Sequence, residues 1–152
     1  MINFWSYKRE YKKFNKLIIK NVNKTLSKGN IFFGQELEKL EKSFVKKYNG
    51  KFGIAVGSGT DALYISLKTL NLKSGDEVIT AANTAIPTIS AIINAGGKPR
   101  LVDVGEDYLI DVTKISKAIN KKTKAIIPVH LYGQMCDMEK IQAIANKNKL
   151  TI

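Results

Sequence analysis

Residues 56–67 read VGSGTDALYISL, and their glycines, serine and threonine, set ahead of a leucine-bearing stretch, are residue types that bind anions. Gly57 and Gly59 let the backbone approach a ligand closely and permit positive φ. A helix starting at Thr60 would point its first amides at that ligand, backed by the positive end of the helix dipole. The Thr60 hydroxyl adds a further donor for a phosphate oxygen. The dipole contributes about 0.3–1 kcal/mol, so affinity has to come from several amides together. Asp61 works against this, because a carboxylate in the first turn repels a dianion unless its side chain turns away. The same residues also fit an ordinary strand-to-helix turn capped by Thr60.

Two phosphate fingerprints are approached here and not completed. A Walker A loop ends in Gly-Lys-Ser/Thr, which is missing. GSGTDA fits a relaxed Gly-x-Gly-x-x-Ala dinucleotide pattern, but that pattern wants an acid at the far end of the next strand, and EVITAAN carries Glu77 at its start. Dinucleotide binding is the weaker alternative.

Few other side chains offer chemistry. His130 and Tyr132 in PVHLYGQ follow an apolar run, and either line a cavity or pack into the core. One cysteine, Cys136, and one histidine exclude an internal disulfide and cannot supply the usual structural zinc ligands, so no metal site is expected. The net charge of +12 would suit nucleic acid or a membrane surface if it were clustered. The lysines run instead from Lys8 to Lys149 on the solvent sides of helical patterns, and the two arginines, Arg9 and Arg100, are too few for base reading. Neither nucleic acid nor membrane is an expected partner. Apolar runs such as 125–129 fall far short of the roughly 20 residues of a membrane span, and MINFWSYKREYKK has no signal-peptide layout. A cytoplasmic location follows.

The elements that must position these groups can be read from periodicity. At 152 residues, with 44% hydrophobic and 25% charged side chains, the chain can bury a core. Phe14, Leu17, Ile18 and Leu26 recur at helical spacing, as do Leu37, Leu40, Phe44 and Tyr48. Between these two helices, SKGNIFFG suggests a loop buried by something else. The pattern then changes to short apolar runs at 52–56, 77–80, 100–104, 124–129 and 150–152, alternating with helical stretches at 61–70, 87–95, 111–120 and 137–147. Thr60, Asp111 and Asp137 mark helix starts. Alternation of this kind implies parallel strands with helices on both faces, an α/β fold. The expected organisation is a helical segment over 1–50 and a sheet domain over 51–152. LTI at 150–152 begins another strand that the sequence does not finish, so the sheet is expected to be incomplete, with an open edge.

Taken in order, the run from FFGQELEKLEKSFVKKYNGKFGIAVGSGTDALYISL through EVITAANTAIPTISAIINAGGKPRLVDV to IIPVHLYGQMCDM resembles the N-terminal part of the DegT/DnrJ/EryC1/StrS family of pyridoxal-phosphate-dependent aminotransferases. The resemblance covers about Phe32 to the C-terminus. It implies the large domain of a fold-type-I transferase and a homodimer with active sites at the subunit interface. The implied activity moves an amino group from glutamate or glutamine to a keto nucleotide-sugar in polysaccharide or glycoside biosynthesis. Gly59 and Thr60 are implied to hold the cofactor phosphate, and Ala85, in TAANTAIPT, to lie against its ring, where many members carry an aromatic. Pyridoxal chemistry also needs a Schiff-base lysine and a carboxylate on the pyridine nitrogen. Neither has a counterpart here, so the chain alone is expected to be inactive, with no catalytic residue assigned. The alternative is a non-catalytic assembly or regulatory module that pairs with a full-length relative.

Overall fold

The computed structural model describes residues 5–29 and 31–152; Asn30, part of the expected connecting loop, lies outside them. Two compact units divide between Ala55 and Val56.

The first unit carries α1 (Tyr7–Ser27) and α2 (Gln35–Tyr48), the two helices that the apolar spacing predicts. Neither contains a buried residue: Phe14, Leu17, Ile18, Leu40, Phe44 and Tyr48 are all exposed. Ile31, Phe32 and Phe33 of the connection are exposed as well, Phe33 at φ 51°. Asn49 ends α2 in the left-handed region, at φ 52°, and donates its N–H to Val45 O. The chain then folds back along α2. A Cβ on Gly53 would stand 2.9 Å from Val45 Cγ2 and 3.0 Å from Glu41 O, and the Ala55 N–H donates to Glu41 Oε1 at 2.8 Å.

That return corrects one expectation. Residues 52–56 form no strand, although FGIAV reads as one. A strand exists through its ladder partners, and here a backbone donor goes to the Glu41 carboxylate while Phe52 and Ile54 stay 87% and 82% exposed.

The second unit begins with α3 (Gly59–Lys68) and continues as β1 (Glu77–Ala81), α4 (Ile86–Asn94), β2 (Lys98–Val102), α5 (Val112–Ala118), β3 (Thr123–Ile127) and α6 (Met138–Asn148). The strands form a parallel sheet in the order β2-β1-β3, with Ile79 opposite Arg100 on one side and Ile126 on the other. Alternate residues serve two cores. Val78 and Ala125 pack with Leu67 of α3, Ala91 and Ile92 of α4, and Ala95 just beyond it. Ile79 and Ile126 pack with Ile115, Ile141 and Ala145 of α5 and α6. The expected α/β architecture with helices on both faces is therefore present.

Two helix starts fall where the sequence places them. Asp111 Oδ1 accepts the Thr113 N–H at 2.9 Å, and Asp137 Oδ1 accepts the Lys140 N–H at 3.1 Å. LTI contributes a single parallel bridge between Thr151 and Ala125, on the outer side of β3.

Candidate functional site

In an open parallel sheet a ligand crevice forms beyond the carboxyl ends of two neighbouring strands whose outgoing connections leave to opposite faces. β1 leads through 82–85 into α4 on one face, and its neighbour β3 leads through 128–137 into α6 on the other. The carboxyl ends of β1 and β3 therefore flank the crevice, and the Thr80 hydroxyl ties them together by donating to Ile127 O at 3.0 Å. α3 packs on α4 over the same face, and its C-terminus leads back to the start of β1. Both helices thus begin at the carboxyl edge of the sheet. The topology brings Gly59, Thr60, Ala85 and His130 to this one edge.

At the start of α3, the cap is Ser58 and not Thr60. Ser58 has extended backbone, φ −159° and ψ 167°, and its Oγ accepts the Asp61 N–H at 3.1 Å. A serine three residues ahead of an acid is a capping pattern that could have been read from the sequence. Gly59 and Thr60 consequently lie in the first turn. Their amides have no acceptor among the described residues, and the Thr60 hydroxyl makes no hydrogen bond there. Neither Gly57 nor Gly59 has positive φ. What Gly59 provides is space, since a Cβ built on it meets nothing within 4 Å. Two unpaired amides, a hydroxyl and open room beside them fit a phosphate group. Asp61 is the opposing charge. Its carboxylate is drawn toward the cap, accepting from Ser58 Oγ at 2.9 Å and approaching to 3.0 Å the place a side chain on Gly57 would fill.

Ala85 caps α4 with φ −68° and ψ 148°, is exposed, and accepts the Thr88 N–H at 3.0 Å. The turn ahead of it is braced from two sides. Thr84 Oγ1 donates to Thr88 Oγ1 at 2.9 Å, and Asn83 Nδ2 donates to Tyr108 O at 2.9 Å. The Asn83 contact joins positions 25 residues apart, and no sequence signal announced it.

Tyr132 is not a core tyrosine: it stands 91% exposed at φ 56°, and His130 is exposed too. The buried member of this loop is Cys136. Its N–H donates to His130 Nδ1 at 3.1 Å and its Sγ donates to Val129 O at 3.2 Å. Burial pushes the Cys136 thiol up, which keeps it protonated as that donor.

Lys114, beside Asp103, and Lys140, beside Asp137, are both held above the ordinary lysine value, the opposite of what a nucleophilic amine requires. Among the described residues no group of three or more His, Cys, Asp or Glu could hold a metal ion, and no helix is long and apolar enough to cross a membrane.

Residues 12–152 match the sequence profile of the DegT/DnrJ/EryC1/StrS aminotransferase family. The chain belongs to that family. A member from Micromonospora megalomicea subsp. nigra, dTDP-3-amino-3,4,6-trideoxy-alpha-D-glucose transaminase, is 37% identical over 149 residues, which are 97% of this chain and 40% of the relative. Among solved structures, DesV from S. venezuelae, in complex with a ketimine intermediate, superposes with a TM-score of 0.93 at 32% identity over 98% of this chain and 40% of its own. NtdA from Bacillus subtilis, with bound cofactor PMP, superposes at 0.84 with 42% identity over 88% of this chain and 31% of its own. The chain thus spans about two fifths of the first two family members and less of the third.

Proposed function

We propose that the intact protein is a pyridoxal-phosphate-dependent aminotransferase that moves an amino group from glutamate or glutamine to a keto nucleotide-sugar, and that this chain supplies the phosphate end of its cofactor site. The observation that carries the reading is the start of α3, where the unpaired amides of Gly59 and Thr60 face open space at the carboxyl edge of the sheet in a member of this family. Working as a cytoplasmic homodimer belongs to the same proposal.

Pyridoxal phosphate, when bound, supplies the electron sink for the amino transfer. The residues of this chain bind and orient. The Gly59 and Thr60 amides and the Thr60 hydroxyl donate to phosphate oxygens, several weak donors summing where one dipole is insufficient. Ser58 keeps the Asp61 carboxylate on the cap, so the acid is already hydrogen-bonded when a phosphate arrives. Ala85 offers the ring a methyl group in place of an aromatic face. No residue of this chain is assigned the Schiff-base lysine or the pyridine-nitrogen carboxylate.

Titrating the purified chain with pyridoxal phosphate and following cofactor absorbance tests this. Saturable binding, competed by inorganic phosphate and weakened by Thr60→Ala, is expected. Borohydride treatment should leave no lysine labelled stoichiometrically; one lysine fully labelled would mean that the chain holds its own Schiff-base residue.

A further inference from the structure

His130 is the single histidine of the chain, and it stands three residues beyond the end of β3, one of the two strands that flank the crevice. Its ring is not free to choose a tautomer. The Cys136 N–H points at Nδ1 from 3.1 Å, so Nδ1 must be the accepting nitrogen and the ring hydrogen must sit on Nε2. Cys136 is itself buried at 3% exposure and bonded at Sγ to Val129 O, so both ends of the hydrogen-bonded loop are fixed. Nε2 meets no hydrogen-bond partner among the described residues. The imidazole also lines a groove of about 440 Å³ with Leu63 and Ser66 of α3, Pro128 and Met138. The groove follows α3 from Leu63 to Leu70, just past its end, along the outer side of β3, and the histidine stands at the carboxyl end of that strand, the edge of the sheet at which Gly59 and Thr60 also lie.

A ring held in one tautomer, with its remaining donor unpaired and the residue exposed at the carboxyl edge of the sheet, is prepared for an acceptor. We infer that His130 is a further cofactor-contacting residue, donating from Nε2 to an anionic oxygen of the pyridoxal phosphate whose phosphate is held at Gly59 and Thr60. This rests on the proposed function above and extends it to a residue which that reading leaves unassigned. The acceptor is either the phosphate or the ring oxygen, and the two are separable by ligand.

Because there is one histidine, long-range ¹H–¹⁵N spectra of the full chain report His130 alone. The free chain should show the Nε2–H tautomer. Saturation with pyridoxal phosphate should shift the Nε2 resonance. A matching shift with inorganic phosphate assigns the contact to the phosphate, and one with pyridoxal assigns it to the ring; either supports the inference. His130→Ala should weaken pyridoxal phosphate binding about tenfold, while His130→Gln, whose amide can both accept from Cys136 and donate, should stay within about threefold of the parent. An Nδ1–H tautomer overturns the inference, as does cofactor binding with an unmoved Nε2 resonance. Equal losses in the two variants, or none in His130→Ala, overturn it as well. In those cases the phosphate site stands; failure of the chain to bind pyridoxal phosphate at all removes both.

Discussion

Ser58 and Gly59 separate stability from binding at adjacent positions. The Ser58 hydroxyl both accepts the Asp61 amide and donates to the Asp61 carboxylate, so Ser58→Ala should destabilise the chain by about 1 kcal/mol, read as a lower thermal midpoint. Gly59→Ala should do the reverse. Its methyl meets nothing within 4 Å and its φ is already outside the left-handed region, so alanine gains up to about 1 kcal/mol of helix propensity. The same methyl enters the space offered to a phosphate, and affinity for pyridoxal phosphate should fall about tenfold, or ~1.4 kcal/mol. A variant that melts higher and binds worse would identify the glycine as functional. Asp111, bonded to Thr113, and Asp137, bonded to Lys140, are both held below the usual aspartate value. A carboxyl depressed in the folded state contributes stability above its unfolded value of about 4, and that stability is lost as pH falls through the folded value. The thermal midpoint should therefore drop through the acidic carboxylate range, less steeply in Asp111→Asn and Asp137→Asn. Residue types were enough to single out the turn at the start of α3. They misassigned its cap by two positions, because Ser58 and Thr60 can both cap and backbone conformation chooses between them.

At the scale of elements, legibility depended on where each element finds its partners. Helices make their hydrogen bonds locally, and those predicted at 87–95 and 137–147 lie within one residue of α4 and α6. Strands borrow theirs, so FGIAV, an apolar run as convincing as EVIT, has no ladder and lies along α2. The loops at the crevice were legible as strand ends and no further. The contacts that shape them, Asn83 to Tyr108 and Cys136 to His130, are made by polar groups with no periodicity to betray them. The interior of β3 was plain from its continuous apolar run. Ile126 is fully buried in the core shared with α5 and α6. Ile126→Ala should cost about 2–5 kcal/mol, measurable by urea denaturation, whereas Leu101→Ala, at an exposed position of β2, should cost far less.

The whole molecule is uneven in protection. Every residue in the two cores belongs to the unit that begins at Val56, and neither α1 nor α2 buries a side chain. Helices draw most of their stability from tertiary packing, so amide exchange should be slowest in β1, β3 and α4 and fast throughout α1, although α1 is the longest helix described. Equal protection in α1 and β1 would contradict this. The sheet order β2-β1-β3, with Thr151 beginning a further pairing outside β3, also has a bearing on synthesis. The central strand leaves the ribosome first, and each later one adds to an edge already laid down: Lys98 reaches Glu77 first, then Thr123 joins on the other side. No strand has to be threaded between two that are already paired, so this part of the protein can assemble outward from its middle as fast as it is translated.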